Sequence, residues 1–197
     1  MKPEKDNHII KDQIIEASRE VFKRFGYIKV SMDDISKASK KGRSTLYYYF
    51  KNKREVLEGF AEKELDNLLT AAKEALKPSL SFTKNLNAFY ALKLRLYKQL
   101  LQEYHTLLID IKSEPAFFLV KLRRVLKDEA DVISNIIKWA VENREISNVA
   151  VEDIDFLSET IVTACRSFEQ EIILYNGMEN YEKRLRLMID ILYRGIK

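Results

Sequence analysis

The 197-residue sequence predicts an all-α fold, with a small three-helix head at the N-terminus and a larger helical bundle as its body. Three observations support this prediction. Apolar residues recur at the spacing of amphipathic helices along most of the chain. Glycine and proline are scarce, at five and three residues, which leaves few tight turns. The alternation of apolar and polar residues that is typical of half-buried strands never persists beyond a few positions.

The head is predicted to hold three short helices. The first carries an apolar face and ends at Gly26, where a left-handed C-terminal cap is expected. Its face consists of Ile10, Ile14, Ala17, Val21, Phe22 and Phe25. The second helix opens at Ser31, an N-cap residue with Asp34 at the third helical position. A connector of three to four residues separates it from a third helix that starts near Arg43, and this spacing is typical of a helix-turn-helix unit.

The third helix contains the run Leu46-Tyr47-Tyr48-Tyr49-Phe50. At 100° per residue, Leu46, Tyr49 and Phe50 share one face and are expected to pack on the first two helices. Tyr47 and Tyr48 then project outwards. The remaining helices are predicted at about 54–77, 80–104, from Ser113 to about 144, 152–175 and 180–195. We therefore divide the chain into a head, residues 1–53, and a body, residues 54–197.

The head is basic and the body is slightly acidic. Residues 1–53 hold thirteen Lys or Arg and seven Asp or Glu, whereas the remainder holds 21 basic and 23 acidic residues. This asymmetry favours a polyanionic partner for the head, although an unevenly charged solvated surface would give the same counts.

Several function classes lack support in the sequence. It has two histidines and a single cysteine, Cys165, and it has no glycine-rich phosphate loop and no zinc-ligand spacing. We therefore expect neither an enzyme nor a bound metal or cofactor. The charged N-terminus has no apolar signal core, and no apolar run is long enough to span a bilayer. The sequence thus predicts a cytoplasmic protein without a membrane partner.

The segment from Ile14 to Leu57 resembles the DNA-binding head of tetracycline-repressor (TetR) family regulators. The resemblance rests on FKRFGY at 22–27, SMDDI at 31–35 and TLYYYFKNK at 45–53. It implies a body that binds a small-molecule effector and a homodimer formed through the last two helices. One departure lies in the turn, where Lys40 replaces the usual glycine. Either Gly42 reshapes this turn, or Lys40 and Lys41 adopt a strained backbone.

We predict that the head binds a double-stranded DNA operator with an inverted repeat. Hydroxyl, phenol and basic groups suit phosphate oxygens and base edges. The predicted contact residues are Ser44, Thr45, Tyr47, Tyr48 and Lys53, assisted by Arg43, Lys40 and Lys41.

For the body we predict an effector pocket between facing helices that suits a lipophilic or aromatic compound. The candidate lining is Tyr90, Tyr97, His105, Phe118, Trp139, Arg166 and Phe168. A buried Arg166 requires an anion, either Glu169 or an acid group of the ligand. Broad apolar coverage of the last two helices favours burial on more than one side. The candidate dimer residues there are Ile161, Phe168, Leu185, Met188 and Leu192.

The function predicted from these features is a ligand-responsive transcriptional repressor that its effector releases from DNA. Two alternatives remain open. One is a helical module that binds a protein or an anionic surface without sequence-specific DNA binding. The other is a DNA-binding protein that has no ligand.

Overall fold

A computed structural model describes residues 3–113, 123–175 and 180–197. Within these ranges the chain forms α-helices and one short 3₁₀ turn, Val151–Asp153, and no strand. The predicted all-α class is therefore confirmed. The helices are α1 (Pro3–Phe25), α2 (Met32–Ser39), α3 (Arg43–Tyr49), α4 (Lys53–Lys73), α5 (Phe82–Glu103), α6 (His105–Lys112), α7 (Arg123–Glu142), α8 (Ile154–Tyr175) and α9 (Tyr181–Ile196).

The chain divides into two compact units. The first contains the described residues within 1–65 and 98–121, and the second contains those within 66–97 and 122–197. The first unit therefore includes α6 in addition to the three helices of the predicted head. The functional boundary between residues 53 and 54 stays a prediction.

One apolar core holds the first unit together, because α1, α2, α3, the start of α4 and α6 all contribute to it. Its buried members are Ile14, Ile15, Val21, Phe22, Val30, Ile35, Leu46, Phe50, Val56, Leu57, Phe60, Tyr104, Leu107 and Ile111. Phe25, which periodicity placed on the inner face of α1, is instead 44% exposed. The Arg24 guanidinium lies 5.1 Å from its ring centroid. Phe25 is the last residue of α1, where the chain is already turning away.

Helix α6 was missed as a separate element. The sequence predicted a helix ending near residue 104 and the next one opening at Ser113. In the structure the helical path breaks at Tyr104, with φ −104° and ψ 34°, and resumes at once as α6. No glycine or proline marks this break. The predicted opening through residues 114–115 lies outside the described residues.

The second unit is built around the packing of α7 against α8. The loop between α4 and α5 is closed by the buried Asn85 amide, which donates to the Lys77 and Leu80 carbonyls at 2.9 and 3.0 Å. The Asn85 carbonyl in turn accepts from the Lys77 amide at 3.0 Å. This closure follows the end of α4 and spans Pro78, the predicted stop. No helix in the described ranges is long and apolar enough to cross a membrane.

Candidate nucleic-acid interface

Helix α3 has one buried side and one exposed side. Leu46 is fully buried and Phe50, directly after the helix, is 2% exposed. Tyr47 and Tyr48 are 49% and 73% exposed, so the predicted division of the aromatic run is confirmed. Tyr49 is half-buried, and its ring meets that of Tyr48 edge-on at a centroid distance of 4.9 Å. The buried residues anchor the helix, and the exposed tyrosines are available to a partner.

The remaining predicted contact residues of α3 differ in exposure. Ser44 is exposed and lies with Tyr48 opposite Leu46, whereas Thr45 is half-buried at the side of the helix. Ser44, Tyr47 and Tyr48 therefore form the outward surface of α3. That these residues contact DNA stays a prediction.

The turn between α2 and α3 resolves the two alternatives for its backbone. Lys40 adopts the left-handed conformation, with φ 52° and ψ 30°, whereas Gly42 has an ordinary φ of −62°. Lys41 is not left-handed, and the hydrogen bond from its amide to the Ser36 carbonyl, at 3.2 Å, closes the turn. The Ser36 hydroxyl also donates to the Lys41 carbonyl at 2.6 Å. Lys40 alone therefore bears the strain that glycine would avoid.

The start of α2 is held by the predicted N-cap. The Ser31 hydroxyl accepts from the Asp34 amide at 3.3 Å, and the Asp34 carboxylate accepts from the Ser31 amide at 2.9 Å. This reciprocal arrangement is a capping box. The hydrogen bonds from the Ser31 hydroxyl and amide lower the pKa of Asp34. The box fixes the entry of α2 and thereby the position of the turn.

An ion pair links α2 to the first residue of α3. Arg43 Nε lies 2.5 Å from Asp33 Oδ1, and Arg43 Nη2 donates to Asp33 Oδ2 at 2.8 Å. The Arg43 side chain is 70% exposed and that of Asp33 is 45% exposed. Sequence reasoning missed Asp33, because an acid in the first turn of a helix is already explained by the helix dipole.

Lys53 has a different environment from the one predicted. Its ammonium donates to the carbonyls of Tyr27, Ile28 and Val30 at 2.9, 3.2 and 2.9 Å. It also lies 4.4 Å from the centroid of the Tyr27 ring. An ammonium has three hydrogen-bond donors, so these carbonyls occupy all of them. In the structure Lys53 therefore holds the segment between α1 and α2. That Lys53 contacts DNA stays a prediction.

The same segment is held from its other side by α6. Asp110 Oδ2 accepts from the Tyr27 and Ile28 amides at 2.7 and 2.9 Å. Gly26 is left-handed, with φ 74°, as predicted, and a Cβ at this position would clash with Asp110 Oδ2. Asp110 was missed because more than 80 residues separate it from its partners, and no local pattern reveals such a contact.

Four of the predicted effector residues lie in α5 and α8 of the second unit, the helices that also carry Lys93 and Glu169 of a buried ion-pair cluster. The Lys93 ammonium lies 2.7 Å from both Glu129 carboxylate oxygens and 2.6 Å from Glu169 Oε1. We call Lys93, Glu129 and Glu169 the triad. The four predicted residues are Tyr90, Tyr97, Arg166 and Phe168. Lys93, which sequence reasoning did not single out, is thus the cation that pairs with Glu169.

Electrostatics in and around the triad reflect burial. Burial raises the pKa of Glu129, and Lys93 only partly opposes this. Burial lowers the pKa of Lys93, but the two carboxylates outweigh it and the net shift is upward. Burial also raises the pKa of Tyr97, with the nearby Arg166 charge acting in the opposite direction. The pKa of Cys165 rises to about 12, chiefly through burial, which makes it a poor nucleophile.

The other predicted effector residues are dispersed. Trp139 lines a cleft of about 580 Å³ between α4 and α7, together with Leu69, Val132 and the acidic Asp128 and Asp131. This cleft contains none of the other predicted effector residues. His105 is exposed at the start of α6, in the first unit. Phe118 lies outside the described residues. That these residues line one pocket stays a prediction.

The predicted dimer residues fall into two groups. Ile161 and Leu185 are 0% and 2% exposed within the single chain, so they belong to the core of the second unit and offer no surface to a partner. Phe168, Met188 and Leu192 are half-buried, and the Phe168 ring packs edge-on against Tyr181 at 5.7 Å. The exposed apolar side chains of α9 are instead Leu187 and Ile191, each 61% exposed. Periodicity identifies an apolar helix but not which of its sides is already covered.

Comparison with known proteins gives one family match. Residues 14–59 match the family of bacterial regulatory proteins called the tetR family. The helix-turn-helix described above, from α1 to the start of α4, accounts for this segment.

Two relatives from Bacillus subtilis (strain 168) are similar in sequence. The first is the HTH-type transcriptional regulator YhgD, which is 36% identical over 77 residues, covering 39% of this chain and 40% of that protein. The match thus spans less than half of this relative's length. The second is the fatty acid metabolism regulator protein, which is 25% identical over 138 residues, covering 68% and 69% of the two chains.

The fold is also found among solved structures. A TetR transcription regulator from Haloarcula marismortui ATCC 43049 aligns with a TM-score of 0.66 and 13% identity, over 96% of this chain and 98% of that one. At this identity the likeness shows a shared fold over nearly the whole chain.

Proposed function

We propose that this chain, a member of the tetR family of bacterial regulatory proteins, is a sequence-specific transcriptional repressor. The observation that carries this proposal is the two-sided α3. Its core residue Leu46 is fully buried, while Tyr48, on the opposite side, is 73% exposed. An exposed tyrosine on a firmly anchored helix offers a partner both an aromatic face and a phenol group.

In this proposal α3 enters the major groove and its outward side chains meet base edges and phosphates. Ser44, Tyr47 and Tyr48 supply hydroxyl and phenol groups. Lys40 and Lys41, both in the turn, supply positive charge close to the backbone phosphates. The excess of basic residues in positions 1–53 supports the same orientation, because DNA attracts the more basic part of the chain.

We further propose that the protein acts as a homodimer on an inverted repeat, because two-fold protein symmetry is matched by a two-fold operator. Leu187 and Ile191 are the residues we assign to the partner-facing side of α9, with Met188 and Leu192 at its margin. Their exposure supports this assignment, since adjacent exposed apolar side chains are typical of a protein interface.

The dimer is tested by the double variant Leu187→Glu, Ile191→Glu in sedimentation equilibrium. We expect the wild type to be a dimer at micromolar concentration and the variant to be a monomer with strongly reduced operator affinity. Ile109→Glu is the matched control, since Ile109 is 56% exposed but lies on α6. A wild-type monomer, or a variant that still dimerises, would refute this part of the proposal.

The effector we propose is a lipophilic or aromatic small molecule that releases the repressor from DNA. Two considerations support it. The Lys93 ammonium lies 5.5 Å from the Tyr90 ring centroid, and the charges of Glu169 and Arg166 act on Tyr97, so aromatic side chains border charged groups inside the second unit. One relative of similar length is named a fatty acid metabolism regulator, so long-chain acids and their thioesters are the first compounds to test.

A thermal-shift screen of fatty acids, acyl thioesters and aromatic acids tests the effector class. A ligand at a hundred times its dissociation constant stabilises by about 2.7 kcal/mol, which raises Tm by several degrees. Arg166→Ala and Trp139→Ala distinguish the triad region from the α4–α7 cleft, because only the variant at the true site weakens the shift. Hits restricted to hydrophilic cations would contradict the proposed effector.

The decisive experiment for the DNA-binding function is selection from a random duplex library at physiological salt. Enrichment of one inverted repeat supports the repressor. Binding that depends on salt alone, without enrichment, would instead support a module for anionic surfaces. A bacterial regulator of this kind works at the chromosome, so we propose that it is cytoplasmic and has no enzymatic activity.

A further inference from the structure

We propose that Arg43 reads a guanine in each half-site and that Asp33 holds its guanidinium in the reading position. The inference rests on the proposed DNA-binding function and adds the chemical identity of one base pair. Its basis is the ion pair between the second residue of α2 and the first residue of α3. We call Arg43 and Asp33 the reading pair.

The contact between the two side chains uses only one edge of the guanidinium. Arg43 Nε faces Asp33 Oδ1 at 2.5 Å, and Nη2 faces Oδ2 at 2.8 Å. A guanidinium carries five N–H donors, so this side-on contact leaves one donor on Nη2 and both on Nη1. Those donors lie along the outer edge, which can form two parallel hydrogen bonds to one acceptor pair.

Guanine is the base that matches this edge. In the major groove it presents two adjacent acceptors, N7 and O6. Adenine replaces one of them with an amino donor, and cytosine presents an amino donor, so both oppose a group that has donors only. Thymine offers a single oxygen beside a methyl group. The double hydrogen bond is therefore available with guanine alone.

Charge argues for a base contact over a phosphate contact. The reading pair is formally neutral, so it gains little from the phosphate backbone, whereas the unpaired lysines of the turn gain much. A phosphate oxygen brought to Arg43 would also approach the Asp33 carboxylate and be repelled. Guanine bears no net charge, so its acceptors escape this repulsion.

The ion pair with Arg43 adds to the favourable interaction that Asp33, in the first turn of α2, has with the helix dipole. The capping carboxylate belongs to Asp34. Instead, Asp33 restricts a long side chain that is 70% exposed and would otherwise sample many rotamers. Restricting it before binding lowers the entropic cost of the base contact. Arg43 also lies one helical turn before Tyr47, so both project on neighbouring parts of the exposed surface.

The first experiment is selection of binding sites from a random duplex library with wild type, Arg43→Lys and Asp33→Asn. We expect the wild type to enrich a guanine at the same position of both half-sites. Arg43→Lys keeps the charge but lacks the planar guanidinium with its two parallel donors. The preference for guanine should therefore fall by roughly 5- to 150-fold. Asp33→Asn releases the guanidinium towards phosphates, so selectivity should fall while binding to unrelated duplexes strengthens.

Arg54→Lys is the matched control, because Arg54 is also in an ion pair, with Glu58, at 3.1 Å. It should leave the enriched sequence unchanged. Circular dichroism melts identify any variant that fails to fold, and the main readout of the second experiment comes from wild-type protein for that reason.

The second experiment replaces the enriched guanine with 7-deazaguanine, which lacks the N7 acceptor. We expect wild-type affinity to fall about five- to tenfold, as for loss of one charge-assisted hydrogen bond. Arg43→Lys should show little further loss on the same duplex. If the wild type enriches an inverted repeat, but neither Arg43→Lys changes its base preference nor 7-deazaguanine its affinity, the reading pair is refuted while the proposed repressor is supported. If no sequence is enriched, both the reading pair and the proposed repressor are refuted.

Discussion

The Asp110 carboxylate of α6 accepts a 2.7 Å hydrogen bond from the Tyr27 amide, which follows α1 by two residues. The same oxygen accepts from the next amide, and the left-handed Gly26 makes room for it. One carboxylate oxygen thus accepts from two successive backbone amides that follow α1. The geometry makes α6 part of the support for the DNA-binding head.

Asp110→Ala should destabilise the first unit by about 2–3 kcal/mol, because hydrogen bonds to a charged acceptor are the stronger ones. Asp110→Asn should lose less, since an amide oxygen still accepts but more weakly. Urea unfolding measures both. His105→Ala, an exposed position on the same helix, is the control and should change little. Equal stability of Asp110→Ala and wild type would contradict this role.

Lys53→Met should weaken operator binding without changing its salt dependence. The ammonium is occupied by three carbonyls, so its loss loosens the segment between α1 and α2 and does not remove a phosphate contact. Lys51→Met, at an exposed lysine after α3, is the matched control. A lysine on a phosphate contributes about 0.9 to the slope of log affinity against log salt. If Lys53→Met reduces this slope by about 0.9, Lys53 contacts a phosphate directly.

Lys40→Gly should stabilise the protein, although it removes a side chain. Left-handed backbone costs a non-glycine residue about 1–2 kcal/mol, and glycine returns about 0.5–1 kcal/mol as unfolded-state entropy. The difference is a net gain of up to about 1.5 kcal/mol, and each 1 kcal/mol corresponds to a rise in Tm of roughly 2–4 °C. Lys37→Gly is the control, because it removes the same charge. It should lower Tm, since it places glycine inside α2. A fall in Tm for both variants would show that φ at Lys40 is not a source of strain.

Much of the first unit could be predicted because its determinants are local. The Gly26 cap, the Ser31 capping box and the buried side of α3 each depend on residues within about one helical turn. The left-handed backbone at Lys40 was one of two alternatives that the sequence left open. Only the structure distinguishes them, because the choice depends on how α2 and α3 are spaced.

What the sequence could not predict depends on residues that are distant along the chain. The backbone contacts of Lys53 and Asp110 were not predicted, since their partners lie about 25 and more than 80 residues away. The triad was missed for the same reason, because Lys93 and Glu129 lie on different helices. Burial of Ile161 and Leu185 likewise depends on tertiary packing, which helical periodicity does not reveal.

Lys93→Met should destabilise the second unit by about 3–5 kcal/mol near pH 7, because it leaves two carboxylates without their buried cation. The pKa of Glu129 is already raised by burial, so its contribution to stability is largest at low pH and is lost as pH rises through that raised pKa. Without Lys93 the pKa rises further. The deficit of the variant should therefore shrink as the pH is lowered from 8 to 5.

Glu129→Gln is the matched variant for the triad. It leaves one ammonium and one carboxylate, so it should cost much less than Lys93→Met at neutral pH. Urea unfolding at pH 5, 6, 7 and 8 measures all three proteins. A deficit of Lys93→Met that is the same at every pH would contradict ionised carboxylates as its cause.

Sequence-specific recognition by α3 is measured by a fluorescence anisotropy titration at physiological salt. It compares the selected inverted repeat with a scrambled duplex of equal length and composition. We predict binding of two chains per repeat, at least about 10³-fold tighter than to the scrambled duplex. Tyr48→Ala should reduce this ratio. Equal affinity of the wild type for both duplexes would contradict sequence-specific recognition by α3.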